Sequence, residues 1–437
     1  MQSELGQQRL ESRSPSVQGN SLRRNKPFML LLTGYTLSVA GNGFHSIALS
    51  LWILETTGSA RMMSVVMGIY MISSLLFGAV AGTVADRSNR ITLMTTADIL
   101  RALFTIGVAL CIGLSPDSTM IVFALVAFTA ISGLFHSPAM QASMVKFAGT
   151  EQIQRSTSLV NIMENIARVS GLALGGIAIT WFGGVAAILV DGCTFLISAL
   201  LIFLAGRTLN GANETVVHDE VSESSIEDEQ PAAERSKFLS DIWSGILFIK
   251  NDPVARAVII LSPSLMLFFT SCLMLIQVVA VKVWQVNPAS FGLIEASFPV
   301  GYLAGSFLIL TLDHRLQRRG WFIFAGIFLL GPTFVLMTFS RHLFLSIGLI
   351  FLAGFMFAFA TLLVQIMLRL RVKTEMLGRA FGIIGSLTSV VPPGGLAVSA
   401  YCADYFGPAS TLMVIGVLLS VIGIFTFLFL KPIRDFN

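Results

Sequence analysis

Long runs of apolar, uncharged residues alternate with short polar breaks over most of the chain. The run "MMSVVMGIYMISSLLFGAVA", residues 62–81, carries no charge at all. About 20 apolar residues in a helix cross the ~30 Å hydrocarbon core of a bilayer. The pattern predicts twelve such spans, at 28–54, 62–84, 92–114, 118–140, 157–181, 184–206, 254–281, 289–312, 321–339, 342–368, 379–403 and 408–430. The expected fold class is therefore an all-α polytopic membrane protein.

Composition points the same way. Of the 437 residues 54% are hydrophobic and only 12% charged, whereas soluble domains carry about 25% charged residues. The mean hydropathy is +0.80. Too few polar side chains exist to cover a water-facing surface. The four cysteines, Cys111, Cys193, Cys272 and Cys402, fall inside apolar runs without a CxxC pair or a histidine at zinc-ligand spacing, so they are expected to be packing residues. No GxxxxGK[ST] phosphate loop occurs, so no ATP site, cofactor or metal is expected. A membrane-embedded enzyme is disfavoured as well, because no nucleophile–base pair stands out.

Basic residues orient the spans. Of the 28 Lys and Arg residues, only Arg61, Lys282 and Arg341 fall at the odd-numbered breaks, while Arg101 and Arg168 lie inside spans. Positive charge prefers the inner side, so both termini and the loop after the second span are expected in the cytoplasm, in the cell membrane. Residues 1–27 form a basic tail there. The apolar run after it is too long for a signal-peptide core. A second tail covers 431–437, and the long break at 207–253 is a linker. Residues 207–237 hold eight acidic side chains and are expected to be disordered. Leu239, Ile242, Trp243, Ile246 and Ile249 then recur at helical spacing, which predicts a surface helix near 238–250, stopped by Asp252-Pro253.

The two sides of the linker resemble one another. "TEQIQR" at 150–155 aligns with "TEMLGR" at 374–379, and the same offset of 224 aligns "SGLALGGIAITWFG" (170–183) with "GGLAVSAYCADYFG" (394–407). The chain is thus read as two pseudo-symmetric six-helix halves, 28–206 and 254–430. In many transporters a substrate path forms where such halves meet.

"GTVADRSNRITLM" (82–94) puts Asp86, Arg87 and Arg90 within five positions, after an uncharged span. Gly82 is expected to let the second and third spans approach closely, and Asn89 to accept a left-handed turn. The stretch resembles the G-x-L-x-D-[RK]-x-G-[RK]-[RK] signature of the major facilitator superfamily, matched at Gly82, Asp86, Arg87 and Arg90. The resemblance implies a conformational latch, with Asp86 meeting the start of the eleventh span near Gly378. "ARVSGLALGG" (167–176) is similar to the antiporter motif of the same superfamily at Gly171, Gly175 and Gly176, but Ala167 and Leu172 stand where the motif has Gly and Pro. Small residues at this spacing also pack helices generically. "GRAFG" at the eleventh span and "NPASFGLIEASFPVGYLAGS" resemble the macrolide-efflux-type drug exporters. The Arg of other drug exporters is absent from the fourth span, where Thr129 precedes Gly133 by four residues.

Charge inside a membrane is costly and usually functional. Asp98 and Arg101, three apart, read as a structural pair in a span that the resemblance makes peripheral, and Asp191 as similarly peripheral. Glu164 and Arg168, four apart, form a structural or a switchable ion pair. Glu295 has no basic residue within one turn. A carboxylate without a cation in a low-dielectric path is suited to carry a proton or to face a cationic substrate. His45, Asn42, Gln277 and Gln365 supply polar groups on helices that line the cavity in this family, or else hold helices together. The expectation is a secondary transporter exporting amphipathic small molecules, drug- or macrolide-like, by proton antiport. Its partners are then substrate, protons and lipid, without nucleic acid, and it acts as a monomer. Export of an endogenous metabolite, siderophore or lipid, or a non-transporting sensor of the same fold, remains the alternative.

Overall fold

The computed structural model describes residues 22–115, 118–213, 251–312, 317–340, 342–372 and 374–436. The predicted surface helix and most of the acidic linker lie outside them, as do most of the N-terminal tail and residues 313–316. Among the described residues there is no strand, and twelve helices are long and apolar enough to cross a membrane. Spans 1 to 6 are Lys26–Thr57, Ala60–Arg87, Arg90–Leu114, Thr119–Ala148, Thr150–Phe182 and Gly184–Leu209. Spans 7 to 12 are Pro253–Lys282, Pro288–Leu312, Arg319–Phe339, Leu343–Arg371, Met376–Phe406 and Pro408–Phe429. Each coincides with a predicted segment. Leu103, Phe307 and Phe344 stand exposed on the outside, as a surface solvated by lipid allows.

Local chemistry sets the ends of these helices. Asn25 caps span 1 by accepting from the Phe28 N–H at 3.1 Å, with Pro27 in the first turn, where its missing N–H costs nothing. Gly58, at φ 58°, ends span 1, and Ser59 caps span 2. Asn89 does not enter the left-handed region. It stays extended at φ −64° and caps span 3, accepting from the N–H groups of Ile91 and Thr92. Asp252 is not only a stop: its carboxylate accepts from the Ala255 N–H at 2.7 Å and opens span 7.

Span 4 is two helices, Thr119–Leu134 and His136–Ala148, meeting at Phe135. Pro138 lacks the N–H that would bond the Leu134 carbonyl, and its ring crowds that group. The resulting break sets His136 on the inner face.

Spans 1 to 6 pack mainly among themselves, as do spans 7 to 12. The halves meet chiefly along span 5 against span 8 and span 2 against span 11. The internal repeat survives in the backbone. Gly183 (φ 83°) and Gly407 (φ 92°), offset by 224, end spans 5 and 11 in the same positive-φ conformation. That region suits glycine because it has no Cβ.

Candidate functional site

One face of span 1 carries Tyr35, Ser38, Asn42 and His45 at helical spacing, and it lines a polar chamber between the halves. The chamber has two lobes that share Asn42, Ser46, Arg101 and Gly133. The first, of about 480 Å³, also receives Glu164 and Arg168 from span 5, His136 from span 4 and Glu295 from span 8. The second, of about 420 Å³, is reached by His45, Tyr70, Thr129, Asp191 and Gln277.

Arg101 is the hub. Its guanidinium donates to Asp98 at 3.3 Å, to Ser38 at 3.2 Å and to Asn42 at 2.7 Å, and it lies 3.9 Å from the centroid of the Phe195 ring. Behind it, Asp98 accepts from Ser198 at 2.6 Å and stands 3.3 Å from His136 Nε2. The His136 ring stacks on Tyr35. The Tyr35 hydroxyl donates to Glu164 at 2.9 Å, and Glu164 accepts from Arg168 at 2.6 Å. Hydrogen bonds, ion pairs and the Tyr35–His136 ring stack therefore link span 5 through spans 1 and 4 to span 3. Buried charge needs such partners, because an unpaired ion in a low-dielectric medium is costly.

Glu295 differs. Gln277 donates to its carboxylate at 2.9 Å, and no cation lies at ion-pair distance among the described residues. The two arginines of the first lobe are already held by Asp98 and Glu164. The first lobe thus pairs its positive charges and leaves the Glu295 carboxylate facing open space.

Two expectations about the charged residues change. Asp98 and Arg101 do form a pair, but Arg101 lines both lobes, because its side chain is long enough to cross from span 3 to span 1. It passes beside Gly133, where its Nε lies 3.5 Å from the place a Cβ would take. Asp191 is not peripheral either: it is buried on the second lobe, with Oδ2 3.5 Å from His45 Nδ1.

Among the other predicted residues, Asn42, His45, Gln277, Glu164, Arg168 and Glu295 come together. Gln365 lies apart, in a small pocket between spans 7, 10 and 11 with Ser262 and Thr361. Gly171 and Gly175 press on the backbone of span 1. Gly176 meets span 8, where a Cβ would stand 2.9 Å from the Gly292 Cα. No cluster of His, Cys, Asp and Glu among the described residues could hold a metal ion.

The two ends of the molecule differ. At the Arg61 end Asp404 of span 11 receives the N-terminus of span 2. It accepts from Ser59 Oγ at 2.7 Å, Ala60 N at 2.8 Å and Arg61 N at 3.2 Å, and it pairs with Arg61 Nε at 3.1 Å. At the other end Asp86 and Arg87 are exposed, and Asp86 meets no partner among the described residues. Gly82 and Gly378 have open space where a Cβ would sit, so neither the expected close approach at Gly82 nor the contact between Asp86 and span 11 is made in this conformation. Arg90 instead donates to the Ala142 carbonyl at 2.6 Å, fastening the loop to span 4. The halves are pinned at the Arg61 end and apart at the Asp86 end.

Sequence reasoning missed the part played by Tyr35, His136, Asp191 and Asp404. The 35, 38, 42, 45 spacing was a usable signal, whereas Asp404 and span 2 are 344 residues apart and nothing local links them.

Known proteins resemble most of the chain. The family model described as Major Facilitator Superfamily matches residues 31–283 and 259–435. The uncharacterised MFS-type transporter YfiS of Bacillus subtilis is 26% identical, covering 92% of this chain and 93% of its own. Macrolide efflux protein A of Streptococcus pyogenes is 23% identical over 91% of this chain and 94% of its own. Multidrug efflux pump Tap of Mycolicibacterium fortuitum is 23% identical over 94% and 97%. In fold, the chain is similar to a bacterial homologue of the human lysosomal transporter Spinster solved in an inward-facing, unoccupied conformation. The TM-score is 0.67 at 12% identity, over 95% of this chain and 98% of that one.

Proposed function

Because the chain belongs to the major facilitator superfamily, a family of transporters rather than enzymes, we propose that it exports amphipathic small molecules across the cell membrane in exchange for protons. The observation that carries this reading is the chamber between the halves, in which Glu295 alone among the charged side chains of the first lobe lacks an ionic partner. The distribution of Lys and Arg supports a cytoplasmic position for both termini and the Asp86 end, and on that reading the chamber opens inward. The efflux functions of the relatives from Streptococcus and Mycolicibacterium support the outward direction of transport.

Two bodies, 28–206 and 254–430, rock about the chamber while the 207–253 linker tethers them. Inward opening breaks the contact at the Asp86 latch and outward opening breaks the one at Asp404. Gly171 and Gly175 hold span 5 to span 1 within the first body, and Gly176 slides against span 8 between the bodies. Glu295, presented by Gln277, exchanges a proton for the cationic or polar end of the substrate. Only an interaction that differs between the two states can bias them, and the charge on Glu295 is such a difference. Asn42, His45, Arg168 and Glu164 shape the remaining polar surface.

Inside-out vesicles test this with ethidium as the probe and an imposed pH gradient as the drive. Uptake should follow the gradient in the wild type. Glu295→Gln, which keeps the shape and removes the charge, should sharply reduce driven uptake while sparing downhill exchange. Glu295→Asp should keep partial activity. Wild-type pumping by Glu295→Gln would refute the role of this carboxylate.

A further inference from the structure

The second lobe contains a titratable pair that the reading above does not use. His45 and Asp191 are 4% and 1% exposed, and they face each other at 3.5 Å. Neither ring nitrogen of His45 has a hydrogen-bond partner among the described residues. The side-chain contact from Thr194 to Asp191 Oδ1 is long, at 3.4 Å, since that hydroxyl bonds the Asp191 carbonyl at 2.7 Å. His45 is therefore the one titratable group at ion-pair distance from Asp191 among the described residues. Span 1 comes this near because residue 41 is glycine: a Cβ there would stand 2.5 Å from Asp191 Oδ1.

We propose that His45 and Asp191 together form a second proton-binding site of the transport cycle, in the lobe adjoining the Glu295 lobe. The inference rests on the proton-antiport reading and extends it to a second site. The charge balance gives the reason. With one proton the pair is net neutral, either as carboxyl and imidazole or as carboxylate and imidazolium. Without it a bare carboxylate is left inside the membrane-spanning bundle, where an uncompensated charge is costly. Binding or release of that proton changes the charge on the wall of the second lobe by one unit.

The other charged groups around the pair are committed or distant from it. Span 3 presents Arg101 and Asp98, which are bonded to each other and to Ser38, Asn42 and Ser198. Span 2 presents Tyr70, span 4 only Thr129, and span 7 Gln277. Gln277 bonds Glu295 of span 8, and span 5 places Glu164 and Arg168 on the first lobe. The two lobes join at Asn42, Ser46 and Arg101, so a substrate cation entering one changes the field in the other. Substrate arrival then expels the second proton as well as the first.

The test is proton counting on purified full-length protein in nanodiscs, with ethidium as the probe and a pH indicator in weak buffer. Wild type is expected to release more protons per bound ethidium than either Glu295→Gln or Asp191→Asn, and the double variant to release none. Asp191→Glu restores the carboxylate and should recover the release, which a purely structural role for Asp191 would not require. If Asp191→Asn releases as many protons as wild type between about pH 6 and 8, the second site does not exist, while a loss in Glu295→Gln leaves the antiport reading standing. If ethidium binds and no preparation releases protons, it is the antiport reading that fails. The pair is then judged by the nitrogen NMR signals of its histidine, identified by their loss in His45→Gln. Signals that move over that pH range in wild type, with a midpoint displaced in Asp191→Asn, support a proton site; signals that do not move overturn it.

Discussion

Replacing Asp404 by Asn should unpin the Arg61 end of the molecule. The carboxylate accepts three hydrogen bonds from Ser59, Ala60 and Arg61, two of them from backbone N–H groups at the start of span 2. A charge-assisted hydrogen bond contributes about 1.5–3 kcal/mol against about 1 kcal/mol for a neutral one, and a negative charge at a helix N-terminus adds about 0.3–1 kcal/mol. The Arg61 side chain is 55% exposed, so its ion pair is screened and adds little. Asn keeps one acceptor and loses the charge. The net change is ~2 kcal/mol against the pinned state, a ~30-fold shift toward conformations open at this end. Spin labels on cysteines introduced at Thr56 and Tyr405, both exposed at the ends of spans 1 and 11, would report it after replacement of the four native cysteines. Wild type should give one short distance, and Asp404→Asn a second, longer population. Asp404→Glu should stay closer to wild type. An unchanged distance distribution in a folded Asp404→Asn protein would refute the pinning argument.

Three further outcomes follow from the same geometry. Asp86→Asn should leave thermal stability within about 0.5 kcal/mol, as expected of an exposed site without partners, yet slow ethidium transport; equal transport by well-inserted protein would remove the latch. Deleting 212–232 should preserve insertion and transport, because an acidic segment poor in apolar residues contributes little packing; loss of both, seen in membrane fractions and uptake, would give the linker more than a tethering role. Gly176→Val places a side chain against the Gly292 backbone at a cost of about 1–3 kcal/mol. The Thr56–Tyr405 label pair should then lengthen, and an unchanged pair would show that spans 5 and 8 have slack.

How much of this was legible in the sequence depended on whether the relevant physics was local. The twelve spans were, because uncharged runs near the bilayer thickness have few alternatives. So was the internal repeat, and Gly183 and Gly407 bear it out with matching positive φ angles. Glu295 stood out by lacking a sequence neighbour of opposite charge, and the structure gives it an amide partner rather than a cation. Arg101 and Asp191 were misplaced, because which way a long or buried side chain faces depends on helix rotation about its axis. A twelve-span chain fixes that rotation by packing, here at contacts such as Gly43 on Gly171 and Gly41 on Asp191. Asn89 tolerates left-handed backbone, but its competing use as a helix cap wins. His136 depended on the break that Pro138 imposes, visible in the sequence once the span is known to line a cavity.

The central claim is that substrate and proton exchange through one chamber, and reciprocal coupling tests it most directly. Proteoliposomes loaded with ethidium and an entrapped pH indicator are diluted into ethidium-free buffer at equal pH, with the membrane potential clamped. Ethidium leaving down its gradient should draw protons inward and acidify the lumen in the wild type, and should acidify it less per ethidium in Glu295→Gln. Protein-dependent ethidium efflux from wild-type vesicles with no change in luminal pH would contradict the account.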